Sequence, residues 1–208
     1  RGSQRFDFYD KKTQLKGLKL ALMGQFQAQN AGLAIAACLK FLGDSKESEI
    51  RKGLEAVHWE GRLEVVSDTP TVVLDCAHNV ASVRNMTSEV RKNINFDRCF
   101  VILGLMKDKE IDNIIEILSQ FGDLFFLVQV NPERGETTGK LKEKLNKYNK
   151  PVQVSESVSD ALQAAKKFAK PKDLVCVTGS FYTVAEAKKC FQHEKNLTNP
   201  GSAPHPRK

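Results

Sequence analysis

The sequence predicts an α/β fold with a Rossmann-like, mostly parallel sheet and helices on both of its faces. After Arg62, short apolar segments alternate with amphipathic segments of helical length, as expected for strands and crossover helices. Residues 72–74, 99–103 and 174–177 are apolar throughout, which is typical of strands buried on both faces. Right-handed crossovers would place the carboxyl ends of these strands at one edge, where ligands bind in such sheets.

The chain before this sheet is predicted to contain a strand and two helices. Residues 1–16 are polar and are predicted to form an extended or frayed segment that joins a sheet whose other strands lie upstream. Residues 18–22 alternate like a half-buried strand, and Gly24 breaks it. Residues 25–42 carry the broad apolar face of a helix, which Gly43 would end.

The second helix is predicted to begin at Asp44, with Glu47 at the capping-box spacing. Its buried stripe would consist of Ile50, Leu54 and Val57. An irregular connector, residues 58–62, follows and is the candidate domain boundary.

The region after the connector is predicted to hold six strands and five helices. The strands are 63–66, 71–74, 99–103, 124–130, 152–154 and 174–177, and the helices are 82–92, 109–121, 139–148, 157–169 and 183–191. The segments expected at the ligand edge are 75–82, 104–109, 131–139, 155–157 and 178–182. The tail, residues 193–208, is poor in apolar residues and is predicted to be disordered.

Composition favours an ordinary globular protein of a reducing, cytoplasmic compartment, or of mitochondria in a eukaryote. The net charge of +7 comes from Lys and Arg residues that are dispersed over predicted helices, so nucleic acid is not an expected partner. The five cysteines are scattered and odd in number, which predicts reduced, buried thiols without a disulfide framework. No secretory signal and no apolar run of membrane-spanning length is present, so no membrane association is expected.

A polar cluster follows the strand at residues 72–74. Asp75 and Asn79 could cap the next helix, or Asp75 could accept hydrogen bonds from ribose hydroxyls. His78 beside them favours a ligand site, although a lone histidine is more often structural. No base and orienting partner is recognisable for Ser82 or Cys76, and the four histidines lack metal-ligand spacing, so no metal site is predicted.

A second candidate is the strand–turn–helix at residues 177–182. Backbone N–H groups and the Ser180 hydroxyl could hold an anion there, and a simple turn with Ser180 as N-cap is at least equally compatible. Neither GxGxxG nor GxxxxGK[ST] occurs in the chain, so the sequence itself contains no dinucleotide fingerprint or P-loop.

Five motifs, in order, resemble the folylpolyglutamate synthase and dihydrofolate synthase branch of the Mur ligases. They cover most of residues 17–190. The motifs are GQFQAQNA at 24–31, WEGRLE at 59–64, LDCAHN at 74–79, GLMKDK at 104–109 and VTGSFY at 177–182.

The resemblance implies an ATP-dependent ligase that joins L-glutamate to a folate or to dihydropteroate through an acyl phosphate. Asn30 would contact the adenine, Arg62 the phosphates and Asp75 the ribose, with His78 beside them as an ATP-binding or catalytic candidate. From the residues alone, an ion pair for Arg62 and a capping or interhelical bond for Asn30 are the alternatives. Lys107 and Ser180 are the candidates for binding glutamate.

The resemblance also implies a division of the chain. Residues 1–60 would be the end of the central ATPase domain, 61–192 the Mur ligase C-terminal glutamate-binding domain, and 193–208 the tail. The family's P-loop and Mg²⁺ ligands lie in an upstream domain, so this chain by itself is expected to be inactive and the full-length enzyme to be monomeric.

The sequence departs from the family pattern at three positions. Cys76 replaces a Gly, Val80 replaces a Pro, and Glu60 replaces the Pro that commonly precedes Gly-Arg, which changes backbone preferences more than ligand chemistry. Two alternatives stay open: a Mur ligase with another acceptor, and a ligand-binding or degenerate, non-catalytic α/β module.

Overall fold

The computed structural model describes residues 3–42 and 46–198. The first unit begins with an antiparallel hairpin of β1, Gln4–Tyr9, and β2, Gln14–Leu20. The segment predicted to be extended or frayed is thus a strand, β1, that pairs with β2, and its pairing with strands upstream of this chain stays a prediction. The Asp10 carboxylate makes this local return possible, because it accepts from the backbone N–H groups of Lys12 (2.7 Å) and Thr13 (2.6 Å).

Two helices pack against this hairpin. They are α1, Gln25–Leu42, and α2, Glu47–Ala56. Their apolar stripes meet the inner face of the hairpin in a small core of Phe8, Leu15, Leu18, Ile35, Leu39 and Ile50. Gly43 and Asp44, the predicted stop and start residues, lie outside the described residues. The helix predicted at 25–42 has its predicted bounds.

The second unit contains a six-stranded sheet with the strand order β3-β4-β8-β5-β6-β7. Its strands are β3, Glu64–Asp68; β4, Thr71–Leu74; β5, Cys99–Leu103; β6, Leu124–Leu127; β7, Val152–Val154; and β8, Leu174–Thr178. All neighbouring strands are parallel except the edge strand β3, which runs antiparallel to β4. The predicted fold class, a mostly parallel sheet, is confirmed. Strand β6 ends three residues before its predicted end at 130.

Five helices cover the two faces of this sheet. They are α3, Val80–Asn93; α4, Ile111–Phe121; α5, Thr138–Asn146; α6, Val158–Phe168; and α7, Phe181–Thr198. Helices α3, α4 and α5 pack on one face, and α6 and α7 on the other. Alternate strand residues supply the two cores, so Val73 and Val101 face one layer while Val72 and Phe100 face the other.

Helix α7 corrects the predicted tail. It continues to Thr198, so residues 193–198 are helical and the disorder prediction was wrong for them. The polar residues there contain no Gly or Pro that would end a helix, and the first Pro comes at position 200. Residues 199–208, the rest of the predicted tail, lie outside the described residues.

Three of the five cysteines are buried. Cys76, Cys99 and Cys176 are buried as predicted, but Cys38 is exposed on α1 and Cys190 is half-buried. Burial raises the pKa of the Cys76 thiol to about 11.

Within the described ranges, no helix is long and apolar enough to cross a bilayer.

Two strand ends approach each other closely at the ligand edge. Gly179 follows β8 with φ of 104°, and a Cβ there would lie 2.6 Å from the Gly104 carbonyl oxygen. The Gly179 N–H donates to the Ala77 carbonyl at 3.0 Å, which also joins this turn to the end of β4. A side chain is therefore excluded both by the left-handed backbone and by the neighbouring strand end.

We expect Gly179→Ala to lower the free energy of unfolding by about 2–4 kcal/mol, because the methyl group meets backbone atoms that cannot move away. Gly139→Ala is the matched control, since its Cβ would meet nothing within 4 Å and it lies in α5. That variant should be neutral or more stable by up to about 1 kcal/mol. Urea denaturation of both variants measures the difference; equal midpoints would contradict the close approach.

Candidate functional site

A cavity of about 680 Å³ lies where the two units meet. Its walls come from the end of β2, from α1 and α2, from the connector, and from the start of α3. The lining residues are Leu20, Leu22, Phe26, Gln27, Asn30, Ala31, Ala34, Gly53, Leu54, Val57, Trp59, Arg62, Asp75, Asn79, Ala81, Ser82, Asn85 and Met86. The volume lies within the range of about 300–1,000 Å³ that is common for small-molecule sites.

The structure brings three of the predicted site residues to this cavity. Asn30 comes from α1, Arg62 from the connector and Asp75 from the end of β4, so three separate segments converge. The rest of the wall is largely apolar. The cavity therefore combines an apolar surface with several amides, one guanidinium and one carboxylate.

Asp75 is the most buried of the three, with 2% of its surface exposed. One carboxylate oxygen accepts from the Leu63 N–H at 2.9 Å, and the other accepts from the Ala77 N–H at 2.8 Å. Burial raises the pKa of this carboxyl, while the two backbone N–H groups and the charges of Arg62 and His78 act in the opposite direction. Asp75 thus ties the connector to the end of β4 and does not cap α3.

Arg62 lies between two residues with left-handed backbone, Gly61 (φ 66°) and Leu63 (φ 46°). The Leu63 side chain is buried, and its N–H is held by Asp75. Within the described part of the chain, Arg62 forms no ion pair, so the surface ion pair considered from the sequence is not observed. Its guanidinium is left available to a ligand in the cavity.

Asn30 is exposed on the cavity side of α1. Its amide nitrogen donates to the Gln27 side-chain oxygen at 3.1 Å. This bond lies within α1, so it is neither the capping bond nor the interhelical bond given as alternatives from the sequence. Gln27 itself is buried and also lines the cavity. The pair presents two neighbouring amides on one wall, which can donate to and accept from the edge of a base.

His78 does not line the cavity. Its Nδ1 lies 2.8 Å from the Cys76 carbonyl oxygen, and its ring stands 5.6 Å from the Phe181 ring. The next residue, Asn79, caps α3: its side chain accepts from Ser82 N at 2.8 Å and forms a capping box with Ser82. Asn79 is therefore the N-cap of α3, and His78 lies beside Phe181, the first residue of α7.

The two residues predicted to bind glutamate, Lys107 and Ser180, lie at the same edge of the sheet. Ser180 is buried, and its hydroxyl accepts from Thr183 N at 3.1 Å and lies 2.7 Å from the Thr183 hydroxyl. The hydroxyl therefore caps the first turn of α7. The Lys107 ammonium donates to the Glu133 carbonyl at 2.9 Å, which holds the loop after β5 against the loop that precedes α5.

The sequence reasoning did not single out Trp59, Glu64 or Lys188. Trp59 is 60% exposed and lines the cavity, and Lys188 on α7 contacts both Glu60 and Glu64 in the connector region. The WEGRLE stretch contained Trp59 and Glu64, but nothing local to residue 188 indicated its partners. Among the described residues, no group of three His, Cys, Asp or Glu is arranged to hold a metal ion.

Comparison with known proteins bears on the family and the fold of this chain. Residues 61–181 match the family model described as "Mur ligase, glutamate ligase domain". The chain is 32% identical over 189 residues to the dihydrofolate synthase/folylpolyglutamate synthase of Escherichia coli, which covers 91% of this chain and 43% of that protein.

Two solved structures have the same fold. The E. coli FolC structure in complex with DHPP and ADP superimposes with a TM-score of 0.81 at 29% identity, over 93% of this chain and 46% of that one. A bifunctional folylpolyglutamate/dihydrofolate synthase with Mn, AMPPNP and L-glutamate bound has a TM-score of 0.76 at 29% identity, over 88% of this chain and 43% of that one.

The chain thus spans less than half the length of these relatives. The family model covers more than half of the chain, and both the sequence and the fold of the relatives extend across the connector into the first unit. The chain belongs to the folylpolyglutamate synthase and dihydrofolate synthase family of Mur ligases and corresponds to the C-terminal portion of those proteins.

Proposed function

We propose that this chain is the C-terminal part of an ATP-dependent ligase that adds L-glutamate to a folate or to dihydropteroate. The observation that carries the proposal is the convergence of Asn30, Arg62 and Asp75, from three segments, on one cavity. The relatives support it, because one was solved with DHPP and ADP and another with Mn, AMPPNP and L-glutamate.

Each side chain suits one part of ATP. The amides of Gln27 and Asn30 suit the edge of the adenine, whose faces would pack against the apolar wall. The planar Arg62 fork suits phosphate oxygens. Asp75 suits the ribose hydroxyls, since a carboxylate offers about four acceptor positions and the two backbone N–H bonds occupy two of them.

The proposed reaction has two steps. The acceptor carboxylate attacks the γ-phosphorus of ATP, which forms an acyl phosphate and releases ADP. The glutamate amine then attacks the acyl carbon, the phosphate leaves with the C–O bonding pair, and the amine loses a proton as the amide forms. In this chain Arg62 would bind phosphate oxygens and hold the nucleotide, while Lys107 and Ser180, at the carboxyl edge of the sheet, are proposed to help place the incoming glutamate.

The division of labour along the chain is also a proposal. Residues 1–60 would complete the ATPase domain, and residues 61–192 would form the glutamate-binding domain. Mg²⁺, held by ligands upstream of this chain, would support phosphoryl transfer. We propose that the full-length enzyme is monomeric and cytoplasmic, or mitochondrial in a eukaryote, and that His78 supports the turn between β4 and α3 by contacting Phe181.

The full-length protein should release ADP when ATP, Mg²⁺, glutamate and an acceptor are all present, because the acyl phosphate forms only on an acceptor carboxylate. A coupled ADP assay with a folate, with dihydropteroate and with neither measures this, and the 208-residue chain should release none. ADP release with neither acceptor, or only with a peptidoglycan-type acceptor, would contradict the substrate proposal. No release under any condition would favour a non-catalytic module.

Arg62→Ala in the full-length protein should raise the KM for ATP by about 10–100-fold, since one charged contact with phosphate is lost. Arg84→Ala is the matched control, because Arg84 is exposed on α3 outside the cavity. Steady-state kinetics at varied ATP concentration measures the KM of both variants and of the wild type. An unchanged KM in the Arg62 variant would contradict the assignment.

Asp75→Asn keeps the size of the side chain but places an NH₂ group against a backbone N–H, so either Leu63 or Ala77 loses its acceptor. We expect a loss of about 1–3 kcal/mol in stability, together with a raised KM for ATP. Thermal unfolding and ATP kinetics measure the two effects. Asp68→Asn, at the exposed end of β3, is the control and should change the KM little; wild-type values for Asp75→Asn would show that neither bond matters.

A further inference from the structure

Lys188 connects α7 to the connector that carries Arg62. Its ammonium lies 2.7 Å from a Glu60 carboxylate oxygen and 2.9 and 3.2 Å from the two oxygens of Glu64. The side chains of Lys188 and Glu64 are 16% and 17% exposed, whereas Glu60 is 60% exposed. One cation therefore binds carboxylates on both sides of Arg62, and its contact with Glu64 is the one shielded from solvent.

The backbone between the two carboxylates is fixed as well. The Gly61 N–H donates to the Glu64 carboxylate at 2.8 Å, and the Gly61 carbonyl accepts from Cys76 N at 2.9 Å. Gly61 has φ of 66°, and a Cβ there would lie 2.7 Å from the Cys76 sulfur. Because Glu64 holds the Gly61 N–H and Lys188 holds Glu64, the ammonium acts on this peptide group through one intermediate.

The other side of Arg62 is fixed by Asp75, which accepts from the Leu63 N–H. Gly61 and Arg62 thus lie between two anchored peptide groups, those of the Gly61 N–H and the Leu63 N–H, which together limit the backbone that carries the Arg62 side chain. Asp75 supplies one anchor from β4, and Lys188 supplies the other from α7 through Glu60 and Glu64.

The charges agree with a persistent interaction. The hydrogen bond from Lys188 lowers the pKa of Glu60. Burial by itself lowers the pKa of Lys188, but the hydrogen bonds and charges of Glu60 and Glu64 outweigh it, and the pKa is raised overall. Exposed ion pairs contribute little, whereas a partly buried cation shared by two carboxylates holds its geometry more firmly.

We propose that Lys188 is a positioning residue for Arg62: by holding Glu60 and Glu64 it fixes the connector so that the guanidinium faces the cavity. The role in ATP use rests on the proposed function, in which Arg62 binds phosphate. The hold on the connector does not depend on it. Lys188 itself touches no ligand in this assignment, because it lies on α7 and does not line the cavity.

The first test measures the connector in the 208-residue chain. Lys188→Met should speed hydrogen exchange of the Gly61 amide about tenfold and shift the emission of Trp59, the single tryptophan, which adjoins Glu60 and lines the cavity. Lys188→Arg should restore both signals. Lys189→Met, the exposed neighbour on α7, should match the wild type in both.

Glu60→Gln keeps the test valid if Lys188→Met fails to fold, since Glu60 is mostly exposed. It removes one of the two carboxylates and should also shift Trp59 emission and speed exchange at Gly61. Wild-type exchange and emission in Glu60→Gln and in a folded Lys188→Met would overturn the proposal, and so would a failure of Lys188→Arg to restore them.

The second test measures ATP use in the full-length protein. Lys188→Met should raise the KM for ATP about tenfold and change kcat by less than about twofold, with recovery in Lys188→Arg. If Arg62→Ala raises this KM and Lys188→Met does not, the positioning role is wrong. If Arg62→Ala also leaves the KM unchanged, the assignment of Arg62 to phosphate fails, while the exchange result still decides whether Lys188 holds the connector.

Discussion

Two backbone N–H groups, those of Leu63 and Ala77, donate to the buried carboxylate of Asp75, and the site depends on this interaction. Leu63 directly follows the connector and Ala77 follows β4, so the carboxylate joins the entrance of the second unit to the carboxyl end of its sheet. The carboxylate is almost fully buried, where an unpaired donor or acceptor is costly. These bonds restrict the backbone next to Arg62, and they thereby fix the part of the cavity wall that Arg62 and Asp75 form.

The same edge of the sheet is closed by contacts between strand ends. Gly179 approaches Gly104 too closely to allow a side chain, and its N–H reaches the Ala77 carbonyl. The ends of β4, β5 and β8 are thereby held in one place, beside α3 and α7.

Much of the fold followed from local pattern. Strands with apolar residues on both faces and helices with one apolar stripe were placed to within a few residues, because burial on one or two sides leaves a periodic signal. The pairing of β1 with β2 was missed because the turn between them contains no Gly or Pro, and its signal is the single Asp10 that accepts from the N–H groups of Lys12 and Thr13. The end of α7 was missed because polar composition alone does not stop a helix.

By itself the sequence determined the fold class, the edge of the sheet that bears polar residues, and the family resemblance of the motifs around Asn30, Arg62 and Asp75. Only the tertiary structure decided that these three residues share a cavity, that His78 does not line it, and that Lys188 reaches Glu60 and Glu64. The reason is physical. Periodicity and turn chemistry act over a few residues, whereas Lys188 and Glu64 are 124 residues apart and meet only because α7 packs beside β4.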